Sequence, residues 1–254
     1  MKKIIVTLLM MPLVAFAAGG GVHLDKADVD LDNKESMQRG AKLFVNYCLS
    51  CHSASYMRYN RMAEDLGLDE KQVQQNMMFV ADFSKLEAGE PGKVGNLMKV
   101  ALRTADAKQM FGTKVPDLTV VSRSRGADWL YTYLRTFYID ESRPFGMNNA
   151  TFKDVGMPHV MWELEGLKKA VKETTKDADG NEHTVITGYE SVVPGKMSAA
   201  EYDDAVRDLV NFMVYMGEPA QLVRYKWGVI VLIFLLILFV PAYALKKEYW
   251  KDVH

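Results

Sequence analysis

Two long apolar runs lie near the two ends of the chain, and different residues flank them. The first extends from Ile4 to Phe16, follows Met1-Lys2-Lys3 and ends at the small residues of Ala15-Phe16-Ala17. This is the layout of a secretory signal peptide. A retained N-terminal anchor is the alternative, but the run is too short to cross a hydrocarbon core of roughly 30 Å. We therefore predict a signal peptide over residues 1–17.

The second apolar run, Trp227 to Leu245, contains 19 residues without a charge. At about 1.5 Å per residue, a helix of this length covers nearly the whole hydrocarbon core, whereas a helix buried in a soluble core usually keeps a polar face. Trp227 and Tyr243 lie near its ends, where amphipathic rings favour the membrane interface, and Lys246 and Lys247 mark the cytoplasmic side. The pattern predicts one transmembrane helix over 227–245, a cytoplasmic tail over 246–254 and a domain outside the membrane.

Between the two runs, the spacing of apolar residues is mostly helical. Ser198-Ala-Ala-Glu201 is a capping box, and apolar residues follow it at helical spacing as far as Met216. Asp179-Gly180 favours a tight turn, and the residues up to Thr187 favour a strand. Residues 18–35 have little periodicity and are predicted to form an extended arm. We predict helices from Ser36, as the capping residue, to the cysteine pair, over 69–80, over 128–138 and over 198–216, and one β-hairpin over 174–187.

Charge differs between the exported part and the rest of the chain. Without two lysines of the signal segment, and without three basic and two acidic residues of the tail, 26 basic and 30 acidic residues remain of 31 and 32. The exported part therefore has a net charge of −4. A mildly acidic domain of this kind is no candidate for binding nucleic acid, and it can attract a basic partner.

The chain contains only two cysteines, and both belong to the segment Cys48-Leu-Ser-Cys51-His52. This spacing matches the signature for covalent attachment of haem c. On a helix, positions i, i+3 and i+4 lie on one side, so two sulfurs and an imidazole can meet one face of a flat macrocycle. The spacing predicts thioether bonds from Cys48 and Cys51 to the haem vinyl groups, with His52 as a ligand of the iron.

Three other interpretations of the cysteine pair are weaker. A disulfide between residues three apart would close a small loop and constrain the chain little. A thiol oxidoreductase motif is expected after a strand, whereas residues 37–47 have the pattern of an amphipathic helix. A zinc site needs two more ligands, and the chain has no second cysteine pair. The thiol oxidoreductase is the rival hypothesis from another functional class.

Several short segments follow one another in a specific order over nearly the whole chain. They are Arg39-Gly-Ala-Lys-Leu-Phe44, 48–53, Val115-Pro-Asp-Leu118, Ser122-Arg-Ser-Arg-Gly126, 148–152, Gly156-Met-Pro158, Gly217-Glu-Pro219 and the terminal span. The haem motif alone is shared by many cytochromes c, whereas the order of these segments is much more specific. In this order the chain resembles the cytochrome c1 family, of the bacterial type.

The resemblance implies a mainly α fold. A class I cytochrome c-like haem domain over 36–220, with long loops and a small β-hairpin, would precede the single C-terminal transmembrane helix. Gly40 and Phe44 are similar to the glycine–aromatic pair in the first helix of class I cytochromes c. There the small residue lets the last helix, here 199–216, cross closely against the first.

The resemblance also implies a function. The protein is expected to be the haem c subunit of a ubiquinol–cytochrome c reductase in the bacterial inner (cytoplasmic) membrane, with its haem domain in the periplasm. It would accept electrons from a Rieske iron–sulfur protein and pass them to a cytochrome c, without an independent catalytic site. The implied partners are cytochrome b, membrane lipid and the other subunits of a dimeric complex. The alternative is a membrane-anchored cytochrome c subunit of another respiratory complex, such as a terminal oxidase.

The second axial ligand of the iron has to come from 16 methionines and four further histidines. The other histidines lie in the N-terminal arm, in the hairpin and in the cytoplasmic tail. The candidate region that remains is the loop from Met147 to Met161, which includes His159. The resemblance places the ligand at Met157, in Gly156-Met157-Pro158. A thioether raises the haem potential relative to a second imidazole, which suits a carrier to a high-potential acceptor. Ligation by His159 and a purely structural role for Met157 are the alternatives.

Two further site residues follow from the resemblance. Arg125 matches a family arginine that pairs with a haem propionate, which a planar guanidinium can bind through two N–H groups. An ordinary surface salt bridge is the alternative for Arg125. Pro116 is expected to line the haem edge, although Val115 stands where many relatives have a second proline.

Overall fold

The computed structural model describes residues 23–79, 93–100, 102–176 and 182–252. The predicted signal peptide over 1–17, the start of the predicted arm and the predicted turn at Asp179-Gly180 lie outside these residues. The described part is mainly helical, with small antiparallel strand pairs, and the predicted fold class is confirmed.

The described residues form the following helices and strands, each numbered in chain order. The helices are α1 (Lys34–Leu43), α2 (Tyr59–Leu66), α3 (Glu70–Asn76), α4 (Thr104–Phe111), α5 (Val121–Arg125), α6 (Ala127–Leu134), α7 (Trp162–Glu165), α8 (Ala199–Gly217) and α9 (Gln221–Tyr249). The strands are β1 (Ala54–Arg58), β2 (Leu97–Met98), β3 (Phe137–Ile139), β4 (Met147–Asn149), β5 (Gly166–Lys176) and β6 (Glu182–Pro194). Strand β1 pairs with β2, β3 with β4, and β5 with β6, each pair being antiparallel.

The core is built around the crossing of α1 and α8. A Cβ atom at Gly40 would lie 2.8 Å from the Cβ of Phe212 and would overlap the carbonyl oxygen of Asp208. The rings of Phe44 and Phe212 lie 5.6 Å apart, next to this crossing. The helices can approach this closely only because residue 40 has no side chain. The expected crossing of the first and last helices of the haem domain is present.

Helix α8 begins as predicted, but α1 does not. Ser198 and Glu201 form the reciprocal capping box at the start of α8. The prediction that Ser36 caps α1 is wrong, because the side chain of Asn33 accepts the Ser36 N–H at 3.0 Å. The Ser36 hydroxyl instead accepts a hydrogen bond from Asn211 in α8.

The predicted helix over 128–138 ends too late. Helix α6 ends at Leu134, and Phe137–Ile139 forms β3, which pairs with β4. Aromatic and β-branched residues at 136–139 satisfy helical spacing, but they also favour a strand, and pairing with β4 decides between the two.

Two other boundaries differ from prediction. The hairpin extends from Gly166 to Pro194 rather than over 174–187, because pairing continues to the base of both strands. The helix predicted over 69–80 comprises only Glu70–Asn76 in the structure, with Asp69 as its cap.

Helix α9 has the properties of a membrane anchor. Among the described residues it is the one helix long and apolar enough to span a membrane, and its apolar side chains are exposed. It is longer than the predicted span, since it begins at Gln221 and ends at Tyr249. A helix with apolar residues on every side requires an apolar environment, and single-pass membrane anchoring provides one.

Candidate haem-binding site

The cysteine pair follows a change in helix geometry. Helix α1 continues into a π-helical turn over Phe44–Cys48, in which the Leu49 N–H donates to the Phe44 carbonyl at 2.9 Å. The N–H groups of Cys51 and His52 then both donate to the Cys48 carbonyl, at 3.1 and 2.9 Å. Such π-helical turns are frequent at functional sites. This one places the two cysteines and the histidine in one compact turn.

His52 is oriented by a segment distant in sequence. Its Nδ1 lies 2.8 Å from the carbonyl oxygen of Pro116. A neutral imidazole that donates from Nδ1 to a carbonyl keeps the lone pair of Nε2 free for a metal. Burial lowers the pKa of His52, partly opposed by this hydrogen bond, and therefore favours the neutral form. Pro116 lines the cavity next to His52, and its carbonyl selects the tautomer of His52 that carries the proton on Nδ1.

The cysteines form no disulfide. Burial, with a smaller contribution from Cys51, raises the pKa of the Cys48 thiol to about 12. A thiol oxidoreductase needs a nucleophilic thiolate with a lowered pKa. The environment of Cys48 therefore opposes that hypothesis. Nor do the described residues contain a group of three His, Cys, Asp or Glu side chains that could hold a metal, so the zinc interpretation gains no support.

All six predicted site residues line one or both of two cavities, a large one and a small one that share part of their walls. The large cavity has a volume of about 680 Å³ and is lined by Cys48, His52, Pro116, Arg125 and Met157. The small cavity, of about 70 Å³, is lined by Cys51 together with His52, Pro116 and Met157. Cavities of roughly 300–1,000 Å³ are typical of ligand and cofactor sites. The site therefore has a volume, attachment groups and ligand groups that fit one haem c.

Met157 receives a hydrogen bond that the sequence analysis did not identify. The hydroxyl of Tyr133 donates to the Met157 sulfur at 3.2 Å. Burial raises the pKa of Tyr133, so its phenol stays protonated and keeps this proton. The helical spacing over 128–138 predicts only the helix that carries Tyr133, since periodicity carries no information about the group that a hydroxyl contacts.

His159 lies away from the two cavities. It is buried, its ring stacks on Phe137 with centroids 5.0 Å apart, and its Nε2 lies 2.8 Å from a carboxylate oxygen of Glu165. Neither cavity has His159 among its lining residues. This placement gives no support to ligation by His159.

Arg125 lines the large cavity, next to two aromatic rings. Its guanidinium carbon is 5.1 Å from the centre of the Trp129 ring and 5.7 Å from that of Phe152. Within the described residues it has no carboxylate partner at salt-bridge distance. Arg143 also lines the cavity, and its Nε is buried without a hydrogen-bond partner. Sequence reasoning missed Arg143, because an arginine in a turn carries no distinguishing pattern.

The fold and this site together define a membrane-anchored c-type cytochrome. The chain matches the model of the Cytochrome C1 family over residues 27–187 and 189–253. It is 49% identical to cytochrome c1 of Allochromatium vinosum over the whole of both chains. It is 44% identical to the ammonia monooxygenase gamma subunit of Nitrosomonas europaea, over all of this chain and 98% of that protein. It is also 24% identical to cytochrome b/c1 of Bradyrhizobium diazoefficiens, over 87% of this chain and 34% of that protein.

The chain belongs to the cytochrome c1 family. Members of this family carry one covalently bound haem c. The chain is therefore a haem-based electron-transfer subunit of a bc1-type complex, ubiquinol–cytochrome c reductase, with a single membrane anchor.

Proposed function

We propose that this chain passes electrons from a Rieske iron–sulfur protein to a cytochrome c, through a haem c attached to Cys48 and Cys51. The observation that supports this most strongly is the shared cavity wall of His52 and Met157, with the Nδ1 of His52 engaged by Pro116. The bound haem would supply a one-electron iron couple, and the chain would supply ligands, burial and docking surfaces.

The two residues that would hold the iron have different roles in this proposal. His52 presents Nε2 in a fixed tautomer, because the Pro116 carbonyl accepts a hydrogen bond from the Nδ1–H group. Met157 would provide a softer sulfur donor, which would favour ferrous iron and so raise the potential. The Tyr133 hydroxyl donates to that sulfur, which leaves the remaining lone pair for the metal. These contacts would hold both donors ready without a large rearrangement.

Arg125 is proposed to bind a haem propionate. Its guanidinium carbon lies 5.1 and 5.7 Å from the ring centres of two aromatic neighbours, contacts that leave its N–H groups available for hydrogen bonds. A planar fork of N–H donors that lines a cavity suits a carboxylate. The described residues provide no such carboxylate to Arg125.

The topology is proposed from the charges at the ends of the chain. A signal peptide over 1–17 would export the domain over 36–220 to the periplasm, and the tail over 246–254 would remain in the cytoplasm. Lysines just past the span support this orientation. Cytochrome b would pack against the anchor, within a dimeric complex in the bacterial inner membrane.

A second candidate is a haem subunit of a different membrane oxidoreductase. The name of the 44% identical relative, ammonia monooxygenase gamma subunit, is the observation that favours it. The cavity and its ligands are compatible with both candidates, since both need an attached haem c.

Co-purification separates the two candidates. The full chain, carrying an affinity tag on its C-terminal tail, would be isolated from membranes in mild detergent. We expect cytochrome b and a Rieske protein to accompany it and the preparation to reduce cytochrome c with quinol. Isolation with the subunits of a different oxidase or monooxygenase would contradict the proposal. A tagged variant lacking both cysteines is the control for haem-dependent activity.

A further inference from the structure

The start of the loop that leads from β4 to Met157 is held by the buried side chain of Asn149. Asn149, at the end of β4, has an exposed fraction of 0%. Its Oδ1 accepts the N–H groups of Thr151 and Phe152, at 2.9 and 3.0 Å. Its Nδ2 donates to the carbonyl of Tyr133 in α6 at 2.7 Å. A buried amide with such partners fixes the start of the loop relative to α6.

The neighbouring Asn148 fastens the other part of the same loop. Its Oδ1 accepts the N–H of Asp154 at 2.8 Å, and its Nδ2 donates to Asp140 at 2.8 Å. Asp154 has a φ of +60°, in the left-handed region that costs energy for a residue with a side chain. The surrounding hydrogen bonds therefore hold a backbone conformation that the loop would not favour alone.

Tyr133 connects the fastened loop to the sulfur of Met157. Its carbonyl receives the hydrogen bond from Asn149, while its hydroxyl donates to the Met157 sulfur at 3.2 Å. Its ring stacks on Trp129 with centroids 4.9 Å apart, and it meets Phe137 edge-on at 5.2 Å. One immobilised residue thus sets the position of both the start of the loop and the thioether.

We propose that Asn149 is a positioning residue that, acting through Tyr133 and the loop, presets the Met157 thioether in the cavity. The inference rests on the proposed function, because it takes Met157 as the ligand. A thioether is a weak donor, so added imidazole can compete with it for the iron. The imidazole should compete more successfully when the loop that carries Met157 moves more freely. A side chain already held in its bound position loses little conformational freedom on ligation, which strengthens its bond against competitors.

A purely structural role for Asn149 predicts something different. Loss of a buried amide destabilises a fold wherever it occurs, and Asn211 offers a matched comparison. It is also buried, and its Nδ2 donates to the Asp30 carbonyl at 2.7 Å and to Ser36 at 3.0 Å. These contacts join α8 to the N-terminal arm and α1 and do not involve the Met157 loop.

The test is an imidazole titration of the oxidised full chain in detergent, followed through the sulfur-to-iron charge-transfer band. Four variants would be compared with the wild type: Asn149→Ala, Tyr133→Phe, Asn211→Ala and Met157→Leu. We expect Asn149→Ala to lower the Kd for imidazole about tenfold, equivalent to about 1.4 kcal/mol. Tyr133→Phe, which removes only the hydroxyl, should lower it severalfold, and Asn211→Ala should match the wild type.

The outcomes separate the inference from the proposed function. Wild-type affinity in both Asn149→Ala and Tyr133→Phe would overturn the positioning role, as would an equal effect of Asn211→Ala. If Asn149→Ala does not fold, Tyr133→Phe decides alone. A charge-transfer band that persists in Met157→Leu would instead contradict the ligand assignment itself, and the positioning role would fall with it.

Discussion

At the residue scale, the contact between His52 and Pro116 joins two segments 64 positions apart. The Nδ1 of His52 and the Pro116 carbonyl lie 2.8 Å apart, and proline contributes a carbonyl without a competing N–H of its own. The same contact orients the ring and selects the tautomer. The chemistry of this site therefore depends on main-chain atoms as well as on ligand side chains.

Replacing both Cys48 and Cys51 with alanine should abolish covalent attachment. The thioether bonds need both sulfurs, and the chain has no other cysteine. Denaturing gels stained for haem, with acid–acetone extraction, would measure this. The wild type should keep its haem and the double variant should lose it, while His52→Ala should keep the bonds but lose the low-spin spectrum. Covalent haem in the double variant would refute the assignment.

Replacing Met157 with leucine should lower the reduction potential. The substitution keeps the volume and removes the sulfur, so packing should cost less than about 1.5 kcal/mol. Loss of a thioether ligand removes the preference for ferrous iron. Each 59 mV of lowering corresponds to about a tenfold shift in a one-electron equilibrium. We expect a drop larger than this in a redox titration, together with loss of quinol oxidation.

His159→Ala serves as the comparison for Met157→Leu. The His159 ring lies on Phe137 and beside Glu165, outside the two cavities, so its loss should change stability rather than ligation. A normal potential in Met157→Leu with an altered one in His159→Ala would reverse the ligand assignment.

At the scale of elements, the crossing of α1 and α8 holds the haem motif against the core. Phe44 begins the π-helical turn that ends at Cys48, and its ring packs on Phe212 of α8. A shift of α8 would therefore move the turn that carries the attachment residues. The two backbones lie close together at this crossing, so a steric clash there cannot be relieved by a change of side-chain rotamer.

Gly40→Ala should destabilise the haem domain severely. The new Cβ would overlap the Asp208 carbonyl, so the helices would have to separate. We expect a loss of about 3 kcal/mol or more, at the upper end of overpacking effects. For a domain of this size that corresponds to a fall in Tm of roughly 6–12 °C, measured by circular dichroism. Gly95→Ala, where a Cβ meets open space, is the control and should have little effect.

At the scale of the whole molecule, the haem domain and the anchor are joined by a short connection. Helix α8 ends at Gly217 and α9 begins at Gln221. The Arg224–Glu218 pair next to this connection is largely exposed on the arginine side, and such pairs contribute little stability. The residues that line the haem cavity all precede α9.

Deletion of residues 222–254 should therefore release a soluble, haem-bearing domain. The helix that requires an apolar environment would be absent, while the α1–α8 crossing and both cavities would remain. Fractionation of periplasm and membranes, with a haem stain, measures the outcome. A truncated protein that stayed in the membrane when expressed alone would show that a different segment is the anchor.

Features that depend on local spacing could be predicted from the amino-acid sequence. The attachment role of Cys48, Cys51 and His52 is predicted from their spacing alone, and the anchor is predicted because a bilayer requires a long uncharged run. The capping box of α8 is likewise local. The close approach at Gly40 came from family resemblance rather than from spacing, and the structure contains it.

Features that depend on residues distant in sequence could not be predicted, because they arise from packing in the folded chain. Residues 137–139 became a strand because β4 pairs with them, although helical spacing fits equally well. Asn33 caps α1 instead of Ser36, and the Ser36 hydroxyl accepts a hydrogen bond from Asn211 in α8. The hydrogen bonds from Tyr133 to Met157 and between His52 and Pro116 join residues far apart in sequence. Periodicity indicates which face of an element is buried. The hydrogen-bond partner of a buried polar group depends on how the elements pack together.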